Sequence, residues 1–406
     1  MADGDALCAL PAREAARLIA MGDITSEALA SACLARIASS NAAAFPKLDP
    51  EWAFAQARAA DERRQSGLPL APLHGVPVAI TAVLDTVHDP NGDCAATNGP
   101  ARESAPVAAL RAAGAVIVGS VSDTASAANA VSEGIVPAAI GLETAGSLMA
   151  SASRAGCFGF KPSFGLVPRS DVRLYAPSLD TIGVVARTVP DLAMVTDAIQ
   201  AYDSRDVATA SRFRPPLLAT ATMDWPLVPR FASAPASGWA TADATLREAF
   251  GELMEVLGQD IVTIEIEALF AHAEVAANIV ERFERARHQA PSDQVGVPDR
   301  SAVTGQLTPG EDYARALGAR EEFRALLGSV FADHGTILTH ATSIASTAMA
   351  GEPTRLWSYL GLPSVSVPLL ECDGKPVGVL LVGPSGDDGR LLRTARLLSE
   401  HISRLS

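Results

Sequence analysis

Leu29, Cys33 and Ile37 recur every four residues between Ser26 and Ser40, which lays an apolar stripe along one face of a helix, and Thr25 stands where an N-cap belongs. A second helix is predicted over Glu51–Gln65, stopped at Gly67. The period then changes. Leu68 to Pro77 is dense in Pro and Gly and delivers the chain into Val78-Ala79-Ile80-Thr81-Ala82-Val83, a short apolar run of the kind that forms a buried strand. Ser104–Ala113 has helical spacing, Gly114 ends it, and Ala115-Val116-Ile117-Val118 is β-branched and wholly apolar, as a strand covered on both faces should be. Helix and strand repeat at Ser122–Glu133 and Pro137–Gly141. This alternation predicts a mostly parallel sheet with helices on its faces.

Toward the other end, Ser364–Leu370 and Pro376–Val382 are β-rich runs joined around Cys372-Asp373-Gly374-Lys375, where Asp-Gly signals a hairpin turn, and a closing helix is expected over Gly389–His401. Arg205 to Gly310 is less regular, with helical patterns at Thr241–Leu257 and Ala268–Arg287 between Pro-rich and Ser/Ala-rich stretches. We read it as a helical insertion or cap over the sheet's edge. No internal repeat is visible. The expected architecture is a single large α/β domain over residues 1–406, with a twisted mixed sheet covered by helices on both faces.

Composition narrows the function classes. The 406 residues are 48% hydrophobic and 19% charged, which suits a folded chain with a sizeable core and excludes a disordered or collagen-like one. The formal net charge is −14, and no run of Lys or Arg could neutralise successive phosphates, so direct nucleic-acid binding is not expected. Cys8, Cys33, Cys94, Cys157 and Cys372 are odd in number and widely spread, which indicates neither a disulfide framework nor a zinc site and points to a reducing compartment. Asp3, Asp5, Arg13 and Glu14 interrupt the first residues, so no signal peptide is expected, and even Ala105–Val118 is broken by Arg111 and Gly114 before it could span a bilayer. A cytoplasmic protein without a membrane contact follows as the expectation.

The chemistry-bearing segment is Gly134 to Gly165. A strand over Pro137–Gly141 runs into the turn Leu142-Glu143-Thr144-Ala145-Gly146-Ser147, whose small residues allow close backbone approach to a ligand. Successive N–H groups at Thr144, Ala145 and Gly146 can converge on a developing oxyanion while Ser147 presents its hydroxyl to the same carbonyl carbon. A serine in such a loop can equally bond only its own backbone.

Motifs in one order carry a resemblance. Leu73-His74-Gly75-Val76-Pro77-Val78-Ala79-Ile80 is followed by Arg111-Ala112-Ala113-Gly114-Ala115-Val116-Ile117-Val118-Gly119, then Gly156-Cys157-Phe158-Gly159-Phe160-Lys161-Pro162-Ser163-Phe164-Gly165, and Ala176-Pro177-Ser178-Leu179-Asp180-Thr181-Ile182-Gly183. Gly361-Leu362-Pro363-Ser364-Val365-Ser366-Val367-Pro368 and Pro376-Val377-Gly378-Val379-Leu380-Leu381-Val382-Gly383 complete the set. Over residues 10–200 and 333–403 the chain resembles the amidase signature family, which includes the amidases and the amidase-like subunits of amidotransferases. The resemblance implies carboxamide hydrolysis by a serine nucleophile, a second serine in a cis peptide and a lysine base, with backbone N–H groups holding the oxyanion. Ser147 stands at the nucleophile position, in Glu143-Thr144-Ala145-Gly146-Ser147-Leu148-Met149. The lysine position holds Thr81, whose hydroxyl cannot accept a proton near neutral pH, and ungapped counting puts Asp123 at the cis-serine position. Met149 replaces the family's arginine.

Two function readings follow. One is a divergent amidase-like hydrolase acting on a carboxamide C–N bond through Ser147, with Asp123 as replacement base or as a plain helix cap. The other is an amidase-fold pseudoenzyme that binds a small-molecule amide or carboxylate-like ligand or a protein partner, a second copy of the chain included. A tRNA-charging transamidase would require the missing lysine and glycine-serine stretch. His74 is read as structural, since the motif itself carries that histidine; His334 and His340 fit no metal-ligand spacing, and Lys161 is read as a structural lysine in its Phe-Lys-Pro turn. No metal or cofactor is expected, and Ser147 and Thr81 should face one concave pocket.

Overall fold

The computed structural model describes residues 4–40, 42–84, 102–209, 214–224, 229–234, 239, 242–288, 309–341 and 354–405. In chain order the strands are β1 Pro77–Thr81, β2 Val116–Val121, β3 Ala138–Glu143, β4 Phe158–Lys161, β5 Thr181–Ala186, β6 Phe231–Ser233, β7 Ile261–Thr263, β8 Thr336–His340, β9 Ser364–Cys372 and β10 Lys375–Val382. The helices are α1 Gly4–Cys8, α2 Ala12–Met21, α3 Ser26–Ser40, α4 Pro50–Gln65, α5 Ala105–Ala112, α6 Thr124–Ser132 and α7 Ser147–Ala155. They continue with α8 Val189–Ile199, α9 Leu217–Thr222, α10 Ala244–Leu257, α11 Glu267–His288, α12 Gly310–His334, α13 Arg355–Tyr359 and α14 Asp388–Ser403.

These ten strands join one mixed sheet in the order β2-β1-β3-β5-β4-β9-β10-β8-β6-β7. Alternation along each strand divides its side chains between two cores, as the period of two requires. Val78, Ile80, Ala138, Ile140, Ile182, Val184, Val379 and Leu381 pack on the face that carries α2, α5, α8 and α14. Ala79, Ala139, Val185, Leu380 and Val382 pack on the other, with α3, α4, α6, α7 and α11. The strands therefore read as unbroken apolar runs because both faces are covered.

The expected mostly parallel sheet is not observed. Among the described residues five of its nine strand pairings are antiparallel: β5 runs against both β3 and β4, β9 runs against β4, and β10 runs against both β9 and β8. The irregular middle region also does more than cap the edge: β6 pairs in parallel with β8 and with β7, so that region lengthens the sheet by two strands. Each has three residues, too few for a periodicity to register. The other expected helices and strands form within a few residues of the expected bounds, β2 running furthest beyond its own. Thr25 caps α3 as expected, accepting the Ala28 N–H at 3.1 Å.

Helix α7 lies close against the sheet. A Cβ at Gly141 of β3 would come within 2.7 Å of the Thr81 side chain, one at Gly159 of β4 within 2.7 Å of Ala152, and one at Gly183 of β5 would collide with Leu148. These three adjacent strands thus leave a shallow trough in which α7 beds down, and that bedding fixes the height of its first residue, Ser147.

Candidate active site

Strand β3 ends at Glu143 and α7 begins at Ser147, so three residues must reverse the chain. Ala145 (φ 52°) and Gly146 (φ 94°) both take the left-handed conformation to do it. The Ser147 N–H donates to the Thr144 carbonyl at 3.1 Å, closing the turn. Thr354, just before α13, donates its hydroxyl to the Gly146 carbonyl at 3.1 Å. A side chain at 146 would fall inside Thr354, so glycine is required there for space as well as for φ.

Beneath the turn sits a buried carboxylate that sequence reasoning missed. Glu143 accepts N–H bonds from Gly146, from Leu148 at 2.6 Å and from Met149 at 3.1 Å, and a hydroxyl bond from Ser358 of α13 at 3.3 Å. It satisfies the orphan donors at the first turn of α7 and faces the positive end of the helix dipole. Burial nonetheless pushes its carboxyl above the usual range, against the opposing influence of Lys161 and the three N–H donors. The signal was present in the sequence as an acidic residue closing an apolar strand just before a helix-starting serine.

A second buried carboxylate braces the turn from the side. Asp180 accepts the Thr144 hydroxyl at 2.7 Å, and the N–H groups of Tyr175 and Ala176 at 2.7 and 2.9 Å. Desolvation pushes its carboxyl up to about 6, opposed by those three bonds and by Arg169.

The sequence-predicted residues distribute as follows. Ser147 is 5% exposed, and its hydroxyl has no hydrogen-bond partner among the described residues, while its carbonyl accepts the Ser151 hydroxyl at 2.8 Å. Of the turn's N–H groups, those of Gly146 and Ser147 are already engaged, and those of Thr144 and Ala145 have no acceptor among the described residues. Thr81, at the end of β1, lies on the α7 face of the sheet beside Gly141, with Oγ1 3.4 Å from the Leu142 N–H. Asp123 is exposed and caps α6, accepting the Ser126 N–H at 2.7 Å. Its neighbour Thr124 reaches the Ser151 hydroxyl at 3.4 Å, which is the described link between that cap and α7. Met149 is fully buried against Gly159.

The chain has three lysines, Lys47, Lys161 and Lys375. Lys161 is fully buried, donates to the Leu362 carbonyl and is pushed down to about 8 by desolvation. Lys47 pairs through its backbone with Ser120, and Lys375 starts β10 at the exposed hairpin. No lysine Nζ bonds Ser147 among the described residues. His74 bonds the Ala60 carbonyl at 2.9 Å. His340 is buried beside Trp239 and pushed down to about 4 by desolvation. His334 ends α12. Cys8, Cys33, Cys157 and Cys372 are free thiols, and Cys94 lies outside the described residues. Among the described residues no group of His, Cys, Asp and Glu is placed to hold a metal ion, and no helix is long and apolar enough to cross a membrane. A cleft of about 680 Å³ lined by Arg13, Arg17, Arg187 and Arg396 includes none of the predicted site residues.

Comparison with known proteins gives a consistent picture. The family model described as Amidase matches residues 28–128 and 124–289. A glutamyl-tRNA(Gln) amidotransferase subunit from Chloroflexus aggregans is 30% identical, with 92% of this chain and 93% of that protein covered. The corresponding protein from Chloroflexus aurantiacus is 29% identical, with 95% and 96% covered. Among solved structures, native peptide amidase from Stenotrophomonas maltophilia superposes with a TM-score of 0.80 at 21% identity, covering 97% of each chain. A chain of a vestigial complex, described as revealing the origins of an s-triazine catabolic enzyme, does so with a TM-score of 0.83 at 24% identity, covering 96% of this chain and 98% of that one.

Proposed function

Because the chain belongs to the amidase family, we propose that it is a divergent amide hydrolase in which Ser147 attacks the carbonyl carbon of a small-molecule carboxamide. The observation that carries this reading is the turn itself: a buried serine at the first position of α7, with an unbonded hydroxyl and two N–H groups, of Thr144 and Ala145, without acceptors beside it among the described residues. The serine oxygen forms the new C–O bond as its proton passes through solvent to the amide nitrogen, the carbonyl oxygen becomes the oxyanion held by those two N–H groups, and collapse expels the neutral amine as the C–N bond breaks. Water then releases the carboxylate. Glu143 and Asp180 do not react; they hold the turn open against collapse of its backbone.

Proton handling is where the site departs from its family. Thr81 offers no base, Asp123 is engaged as a cap, and the described surroundings of Ser147 hold no lysine. A positioned general base is worth ~10²- to 10⁴-fold in rate, so turnover is expected to be slower than a complete site would give by about that factor. The same observation favours a second reading, an amidase-fold pseudoenzyme that binds a ligand or a protein partner without turnover. The curated relatives are named as subunits, so a dissimilar protein chain joins a second copy of this one among the partners we propose; light scattering of the purified chain, alone and after pull-down, reads that directly.

The experiment that separates the readings is labelling with a fluorophosphonate serine probe, for the native chain and for Ser147→Ala, alongside a panel of primary and anilide amides. Labelling that Ser147→Ala abolishes, with measurable amide turnover, supports the hydrolase. A folded native chain that neither labels nor turns over any amide refutes it and leaves the binding protein.

A further inference from the structure

Helix α11 carries two acids on the face it buries. Glu281 and Glu284 stand one turn apart, 7% and 5% exposed. A carboxylate taken out of water is costly unless its oxygens are bonded, so what these two hold is informative. Glu284 accepts the Ser178 N–H at 2.9 Å on one oxygen and the Tyr313 hydroxyl of α12 at 2.8 Å on the other. Glu281 lies 3.0 Å from Arg285 of its own helix and 3.0 Å from Arg355, the first residue of α13, whose guanidinium also donates to Asn278 Oδ1.

Each acid leads by its own route to the turn before Ser147. Ser178 lies in the 175–180 loop, whose Asp180 receives the Thr144 hydroxyl at 2.7 Å. Arg169 holds that loop by its Pro177 and Asp180 carbonyls at 2.6 and 2.9 Å, and Glu284 holds it by its Ser178 N–H. Arg355 follows Thr354, whose hydroxyl donates to the Gly146 carbonyl at 3.1 Å. The turn is therefore gripped on both sides of Ala145, at the Thr144 side chain and at the Gly146 carbonyl, and both grips are tied back to α11.

Peptide units are planar, so the direction of an N–H follows from the dihedral angles on either side of it, and a donor helps an oxyanion only when aimed at it. We propose that Glu281 and Glu284 are positioning residues for the reaction: through Arg355 and Thr354, and through the 175–180 loop, they fix the direction of the Thr144 and Ala145 N–H groups that receive the oxyanion. This deepens the hydrolase reading and rests on the Ser147 turn being the reacting centre. It gives the region between the two family-like blocks a part in the chemistry.

The test reads fluorophosphonate labelling of Ser147 as a time course, resolved into probe affinity and the rate of the bonding step. Glu284→Ala should slow the bonding step roughly 10- to 100-fold and leave probe affinity within about threefold, because misplaced groups are felt in the rate. Glu284→Gln, whose carbonyl oxygen can still accept the Ser178 N–H, should return the rate to within about threefold of native. A carboxylate that merely tied α11 down would lower the unfolding temperature and leave the labelling rate of the folded protein alone. A double-mutant cycle reads the route: with Thr144→Val, which cuts the hydroxyl link to Asp180, the further loss on Glu284→Ala should disappear. Equal rates in the native chain and Glu284→Ala, or losses that multiply in the double variant, overturn the proposal. Glu281→Ala acts through α13, so its loss should survive Thr144→Val, and it carries the test if Glu284→Ala fails to fold. A native chain that does not label refutes the hydrolase reading instead, and hydrogen exchange of the 143–149 segment then decides: faster exchange in Glu284→Ala, with Glu284→Gln like the native chain, keeps the grip of α11 on the turn, and equal exchange in all three refutes it.

Discussion

Replacing Asp180 by Asn should stabilise the protein at neutral pH and leave it nearly unchanged in acid. The carboxyl is fully buried, and desolvation lifts it from 3.8 to about 6 despite the Thr144, Tyr175 and Ala176 donors. An acid held above its unfolded value binds its proton more tightly when native, so between pH 3.8 and about 6 the native state carries more protons and stability falls as pH rises. A shift of about two units corresponds to roughly 3 kcal/mol once the group is fully ionised in both states. Asn mimics the protonated form: its oxygen can keep the two backbone N–H bonds, and its amide can donate to Thr144 Oγ1 in place of the bond it now receives. The assay is urea denaturation of both proteins at steps from about pH 4 to about pH 8, taking the difference at each pH so that other titrating groups cancel. The variant's advantage should grow by about 3 kcal/mol across that range, with fluorophosphonate labelling of Ser147 retained. An advantage that is flat with pH, or that shrinks as pH rises, would refute the claim that Asp180 is ionised at a cost to hold the turn.

The neighbouring residues give further tests. Ala145→Gly removes a left-handed alanine (φ 52°), and calorimetry should show a gain of about 1 kcal/mol, less any cost of the added unfolded-state freedom. Gly146→Ala places a Cβ inside the Thr354 side chain and 2.9 Å from the Thr354 carbonyl carbon at φ 94° and should cost roughly 2–4 kcal/mol in denaturation; adding Thr354→Gly should recover the side-chain clash but neither the backbone contact nor the backbone strain. Thr81→Lys should raise turnover of 4-nitroanilides on the order of 10²-fold by returning a base to the α7 face of the sheet, and a folded variant without gain would count against a latent catalytic site.

Much of the fold was legible because the information was local. The stripe of Leu29, Cys33 and Ile37 gives α3 over Ser26–Ser40, and Asp373-Gly374 turns β9 into β10. What local pattern could not supply was strand order. Thr181–Ala186 is almost wholly apolar and Phe158–Lys161 has four residues, so neither announces that it runs antiparallel between β3 and β9. Pairing sense is decided by how the connecting segments pack, and that is a long-range property.

The site divides along the same line. The tight turn before Ser147 was readable from its small residues, because a strand-to-helix reversal with two left-handed residues restricts what can stand at 145 and 146. Glu143 and Asp180 both lie inside family-like motifs, yet neither stood out, because a carboxylate's role depends on whether it is buried and by what. Asp123 shows the converse: counting along the chain placed it in the site, and it stands exposed at the start of α6 with its carboxylate already bonded to Ser126.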